Sequence, residues 1–189
     1  LGSGSWGTAA AMLLRRNNHN VTLWSRNSEK TKALSQNLEN TEYLPGVSLD
    51  KEIVFTSDIS CVRSKDMIVL VTPSASIRQM CKAIAPYISP GQTIVVLAKG
   101  LEEGTSMTMS QIVCQECPKA SVAVMSGPSH AEEASRGIPT LNVVASESED
   151  VAKNVQDVFM SDVFRIYTSK DVLGVEIGGA VKNVIALCA

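Results

Sequence analysis

The chain opens on Gly2-Ser3-Gly4-Ser5-Trp6-Gly7, a complete G-x-G-x-x-G, and passes directly into Thr8-Ala9-Ala10-Ala11-Met12-Leu13-Leu14. The first glycine allows a tight turn and the second lets backbone approach a pyrophosphate. The third permits close packing, and the free N–H groups of the helix that follows face the anion. The motif alone is weak evidence, so its context matters. Here a helical run follows, small alanines can pack beneath it, and an apolar strand candidate, Val21–Trp24, comes at the expected distance. Of the strand that should precede the loop, only Leu1 is in this sequence.

The rest of the chain repeats a short apolar run, a turn and a helix. Strands are predicted at Val21–Trp24, Ile53–Phe55, Met67–Val71, Thr93–Ala98, Val122–Met125, Leu141–Ala145 and Val163–Tyr167. They are rich in Val and Ile without strict alternation, as strands covered on both faces should be. Helices are predicted at Ser5–Arg16, Ser28–Glu39, Ala75–Ala85, Ser106–Cys117, Ser129–Arg136 and Glu149–Met160, with Ser28 as an N-cap. Between Tyr43 and Asp66 only one short strand and one short helix fit. The alternation predicts an α/β fold: a doubly wound, largely parallel Rossmann-type sheet over residues 1–168. Residues 169–189 carry no strand signal. Val172, Val175, Ile177, Val181, Ile185 and Leu187 predict one long, mostly buried helix that begins a second unit.

Composition narrows the partners. Net charge is −2 over 189 residues, so no basic field exists to hold nucleic acid or an anionic membrane. No apolar run reaches the ~20 residues that span a bilayer, so membrane insertion is not expected. Cys61, Cys81, Cys114, Cys117 and Cys188 are odd in number and lie mostly in apolar segments, which reads as reduced thiols of a cytoplasmic protein. Cys114 and Cys117 have C-x-x-C spacing, yet they fall at the end of a predicted helix, away from the field that lowers a thiol pKa. No second pair completes a metal site, so no metal is expected.

Anionic ligands must then be caught locally. After Val21–Trp24, a protein selective for NAD usually carries Asp or Glu for the ribose hydroxyls. This chain has Ser25-Arg26-Asn27, and a guanidinium there can pair with a 2′-phosphate. NADP is therefore accepted beside NAD, with a solvated surface Arg26 as the plainer alternative. Three further segments lie at strand ends: Val71-Thr72-Pro73-Ser74 before a helix carrying Arg78, Ala98-Lys99-Gly100-Leu101, and Met125-Ser126-Gly127-Pro128-Ser129-His130-Ala131. In the last predicted helix, Gly178 and Gly179 each cost roughly 1 kcal/mol relative to Ala, which predicts a close approach there. Lys182 shares a face with Gly179 and is a candidate proton donor. A lysine snorkelling from a buried helix is the alternative.

These residues carry a specific resemblance. Gly2–Thr8, Val21–Asn27, Tyr43–Gly46, Lys99-Gly100, Ser126–Ser129 with Ala131, and Tyr167–Asn183 resemble, in order, segments of the bacterial-type NAD(P)-dependent glycerol-3-phosphate dehydrogenases. The resemblance implies reversible conversion of sn-glycerol 3-phosphate and dihydroxyacetone phosphate, supplying the glycerol backbone of phospholipids. It implies cofactor contacts at Ser5, Trp6, Arg26, Lys99 and Ala131, beside the loop glycines Gly2, Gly4 and Gly7. It implies substrate contacts at Lys99, Gly127, Ser129 and Lys182, with Lys182 as general acid and base and Lys99 orienting the substrate. It also implies an all-helical C-terminal domain, of which residues 169–189 would be the first helix. That domain would add phosphate contacts, including an Arg-Asn pair. His130 stands where the family commonly has Phe, and neither it nor Glu132 is assigned to the chemistry. A homodimer is left open. The competing readings are another two-domain NADP-dependent dehydrogenase, of hydroxyacid or ketopantoate type, and a non-catalytic NADP-binding sensor.

Overall fold

A computed structural model describes residues 1–188. The glycine loop leads into α1 (Ser5–Arg16), β1 (Thr22–Trp24) and α2 (Ser28–Asn37). A hairpin, β2 (Glu39–Asn40) and β3 (Leu44–Ser48), precedes β4 (Val54–Thr56). Then come β5 (Met67–Leu70), α3 (Ile77–Ile84), β6 (Thr93–Val96), α4 (Met109–Glu116) and β7 (Ser121–Ser126). The chain continues through α5 (Ala131–Ser135), β8 (Thr140–Ala145), α6 (Glu149–Phe159), β9 (Phe164–Ser169) and α7 (Val172–Cys188).

The strands make an α/β/α core, as the alternation predicts. Five of them lie side by side in the order β5-β6-β7-β8-β9, all neighbours parallel except β7 and β8. β1 and β4 form a separate parallel pair. Leu1 sits in the seam between the two sheets: its carbonyl accepts from Val71 N at 3.0 Å, and Gly2 N donates to Trp24 O at 3.1 Å. Leu1 and Gly2 thus do the bridging that a central strand does along its length.

Alternating side chains of β6 explain the layers. Ile94 and Val96 join Ile77, Ile84 and Ile112 of α3 and α4 on one face, while Val95 joins Ala10, Leu13, Val155 and Phe159 of α1 and α6 on the other. All four residues of β6 are buried, which accounts for its unbroken apolar run. The rule fails toward the sheet edge. In β9, exposed Arg165 and Tyr167 alternate with buried Phe164 and Ile166, so among the described residues one face there is uncovered.

Several boundaries differ from the sequence reading for local reasons. Asn27, not Ser28, caps α2, its side chain accepting from Glu29 N at 2.9 Å and Lys30 N at 3.2 Å. The same helix stops before Glu39 because Leu38 turns left-handed at φ 49°, and Glu39–Asn40 then pairs with β3. That hairpin is absent from the sequence reading: Pro45 and Gly46 interrupt β3, and only Leu44 and Val47 of it are buried. The stretch to Asp66 therefore holds two strands and a 3-10 turn, Ile59–Ser64, rather than one strand and one helix. α4 starts at Met109 because Thr108 and Gln111 close a capping box there.

α7 forms where predicted but is not mostly buried. Val172 and Val175 pack on the core, whereas Leu173, Val184, Ile185 and Leu187 are 58%, 61%, 62% and 89% exposed. Among the described residues nothing covers that outer face. No helix of the described residues is long and apolar enough to cross a membrane.

Candidate functional site

The glycine loop shows how backbone alone can build an anion site. Gly2 adopts φ +109°, and a Cβ on it would press on the Val71 carbonyl carbon at 3.1 Å. Around Gly4 nothing lies within 4 Å of where a Cβ would stand, so the backbone is open to an incoming group. Gly7 is the opposite case, since a Cβ there would lie 1.8 Å from the Gly2 carbonyl oxygen. The start of α1 has neither a side-chain cap nor an acidic residue in its first turn. Its leading N–H groups and positive dipole end are left to a ligand. Asn40, 2% exposed, locks the loop from below by donating to Ser3 O at 3.0 Å and Thr8 Oγ1 at 2.7 Å.

The loop forms one end of a cleft of about 1110 Å³ across the carboxyl ends of β1, β5, β6 and β7. Open α/β sheets bind ligands at that edge. Small-molecule pockets span about 300–1,000 Å³, so this cleft has room for a dinucleotide and a small second molecule. Among the residues expected from the sequence, Gly2, Gly4, Ser5, Trp6, Arg26, Lys99, Ser129 and Lys182 all line it.

Three expected residues do not line it. Gly7 acts through packing, as just described. Gly127 is pressed against β8, where a Cβ would meet Asn142 Oδ1 at 2.5 Å, and its carbonyl accepts from Lys99 Nζ at 3.4 Å. Ala131 is buried as the first residue of α5, away from the cleft wall. Its neighbour His130 is exposed and unassigned to the site. Arg78 is also turned elsewhere. Its guanidinium is held by Glu102 at 2.6 and 2.7 Å and by Glu116 at 2.5 Å, which fixes the turn after Lys99.

The two lysines meet at the far end of the cleft. Lys99 follows β6, half-buried, and its pKa is lowered first by that burial and then by the ammonium of Lys182. Lys182 arrives on α7, whose path depends on Gly179. A Cβ at Gly179 would stand 2.6 Å from Ser126 Oγ and 3.6 Å from Lys99 Cγ. The close approach predicted for the glycine pair therefore falls on Gly179 alone, since Gly178 faces open space.

Lys30 and Asn142 of the cleft were not singled out from sequence. Lys30 stands 3.7 Å over the Tyr43 ring, bonds Glu42 at 3.4 Å, and lines the cleft near Arg26. Asn142 accepts from Ser129 Oγ at 3.1 Å. Thr72 Oγ1 and Trp24 Nε1, both on cleft residues, are buried without a partner among the described residues. Buried polar atoms of that kind need partners, and a ligand rich in hydroxyl, phosphate and amide groups can supply them. The open Gly4, the free start of α1 and these orphan atoms fit a dinucleotide. No group of three or more His, Cys, Asp or Glu among the described residues is placed to hold a metal ion. The five cysteines are free thiols. At Cys114 burial around the sulfur, then the charges of Glu147 and Glu176, push the thiol up, opposite to what a redox cysteine needs.

The profile of the family described as NAD-dependent glycerol-3-phosphate dehydrogenase N-terminus matches residues 1–152. This chain belongs to that family. It is 48% identical over 190 aligned positions to a glycerol-3-phosphate dehydrogenase [NAD(P)+] of Agathobacter rectalis, covering 100% of this chain and 56% of the relative. The corresponding protein of Desulfitobacterium hafniense is 45% identical over 188 positions, covering 100% of this chain and 53% of the relative. The crystal structure of glycerol-3-phosphate dehydrogenase from Coxiella burnetii superposes with a TM-score of 0.93 at 32% identity, over 98% of this chain and 57% of that one. The chain therefore spans about half the length of the curated relatives it matches.

Proposed function

We propose that the protein interconverts sn-glycerol 3-phosphate and dihydroxyacetone phosphate with NADP(H) or NAD(H), in the cytoplasm, at the head of phospholipid backbone synthesis. The observation that carries this reading is the meeting of Lys99 and Lys182 in the cleft whose other end is the glycine loop. A cofactor-sensing module needs the loop but has no use for a second, doubly cationic end.

In this reading Ser5, Trp6 and the start of α1 hold the pyrophosphate. Arg26 faces the adenosine ribose, and its charge favours a 2′-phosphate. When bound, the nicotinamide supplies the hydride. Lys99 and Ser129 orient the phosphorylated three-carbon substrate, and Lys99 also stabilises charge developing on its carbonyl oxygen. Lys182 gives that oxygen its proton in reduction and takes it back in oxidation. Ala131 and Gly127 support this wall from behind rather than from within the cleft. Residues 1–168 act as the dinucleotide-binding domain and α7 as the first helix of the substrate domain. The test is NADPH oxidation by the full-length enzyme with dihydroxyacetone phosphate, against ketopantoate and 2-oxoacids as controls. Selective turnover of dihydroxyacetone phosphate is expected; selective turnover of a control ketone would displace the reading.

A further inference from the structure

We propose that Glu176 is a positioning residue for Lys182, fixing the rotation of α7 by capping the N-terminus of α4; this rests on Lys182 being the proton donor and acceptor. The underlying observation is a carboxylate of one helix serving as the cap of another. Glu176 Oε1 accepts Ser110 N–H at 2.8 Å, and Oε2 accepts the Ser110 hydroxyl at 2.6 Å. Ser110 is the second residue of α4, and its N–H is one of those a helix cannot satisfy internally. The Thr108–Gln111 capping box occupies the neighbouring donors, and α4 has no acidic residue in its own first turn. Glu176 supplies both the missing acceptor and the charge that the positive helix end favours.

The consequence for Lys182 is geometric. Glu176, Gly179 and Lys182 are spaced three apart and share one face of α7. That face is fixed at two points before it reaches the cleft: Glu176 pins it to α4, and Gly179 seats it against Ser126 and Lys99. Val172 and Val175 add apolar contact, which holds distance better than angle. On the outer side Leu173, Ile177 and Val181 are 58%, 36% and 39% exposed among the described residues, so within these residues the inner face alone holds the helix. Turning α7 by one residue, about 100°, would carry Lys182 off the cleft wall. The pair of bonds from Glu176 opposes that turn.

The experiment uses the full-length enzyme with Glu176→Ala, Lys182→Ala and the double variant. Each is assayed for kcat, KM, NADPH affinity and thermal melting. Misplacing a reacting group by about 1 Å can cost about 10²-fold, so Glu176→Ala is expected to lower kcat by about 10–10²-fold. NADPH affinity should stay within about twofold, because the glycine loop is untouched. The double variant should be no slower than Lys182→Ala, since a positioning residue has nothing left to position. Should Glu176→Ala fail to fold, Glu176→Gln and Ser110→Ala carry the same test, each keeping one of the two bonds. A Glu176 variant with wild-type kcat and only a lowered melting temperature would overturn the proposal, as would losses that multiply in the double variant. Wild-type kcat in Lys182→Ala would instead overturn the acid–base reading itself, and the proposal with it.

Discussion

The two helices that frame the cleft, α1 and α7, are built on opposite terms. α1 presents backbone: its ligand-facing end is N–H groups and glycines, and behind it Ala9, Ala10 and Ala11 are 0%, 3% and 4% exposed. α7 presents side chains: Glu176 and Lys182 do its polar work, while among the described residues nothing covers its outer apolar face. The first end is fixed by local chain geometry and the packing directly beneath it. The second depends on how side chains hold the helix against its neighbours. Binding of the dinucleotide should therefore be robust to changes at α7, and proton transfer should be sensitive to them. The predictions below can break that division or sharpen it.

The largest effect is expected from length. The 189-residue chain by itself should show negligible turnover, and the full-length protein is expected to turn over dihydroxyacetone phosphate. A binding titration on the same two samples locates the difference. Turnover of the 189-residue chain comparable to the full-length enzyme would refute the prediction. It would place all the chemistry within these 189 residues, α7 included.

Next comes Gly7→Ala. Its Cβ would overlap the Gly2 carbonyl oxygen, so the loop must move, and overpacking of this kind costs about 1–3 kcal/mol or more. NADPH and NADH binding should both collapse, measured by fluorescence titration, with equal loss for the two. Retained binding would mean that the loop geometry is not what holds the pyrophosphate.

Arg26→Ala should be milder and selective. Loss of a hydrogen bond to a charged group is worth about 1.5–3 kcal/mol, so NADPH affinity should fall by that amount and NADH affinity much less. Equal losses would assign Arg26 to loop support, and the coenzyme preference would have to be read at Lys30 and Tyr43.

This division also marks what the sequence can carry. The glycine loop, α1 to its last residue, and the strand–helix alternation are legible because each is a local rule: a φ requirement, a 3.6-residue period, an apolar run. Lys99, Ser129 and Lys182 are legible as candidates because they lie at strand ends or beside a glycine notch. Asn40 is not, since an amide in a turn looks alike whether it faces solvent or a buried loop. Asn40 is further hidden by the β2–β3 hairpin, whose Pro45 and Gly46 break the strand pattern. Arg78 shows the converse error: its position beside a strand end suits a ligand, yet Glu102 and Glu116 have already claimed it. Burial of α7 could not be read from its apolar residues either, because hydrophobicity states a need for cover without saying where the cover lies.

The smallest expected effect concerns stability. Burial and Lys182 lower the pKa of Lys99, so across the window from that lowered value to the ordinary 10.5 the unfolded chain binds more protons than the folded one. Stability should therefore rise with pH in that window, and below it the cost of the buried charge is fully present. Lys99→Met should remove this rise and make the protein slightly more stable at neutral pH, measured by thermal melts between pH 7 and 10. An unchanged pH slope would show that Lys99 is better solvated than its place in the cleft indicates.

The division between the two helices is tested most directly by Lys182→Ala in the full-length enzyme, with NADPH binding by stopped flow and steady-state turnover measured on one preparation. The account predicts a fall in kcat of about 10²–10⁴, the usual contribution of a positioned general acid, with NADPH affinity nearly unchanged. Lys182→Arg should not restore the rate, because a guanidinium stays protonated and cannot serve as the base. A Lys182→Ala enzyme within about threefold of wild-type kcat would contradict the account and leave Lys182 as an amphipathic side chain reaching out from the helix.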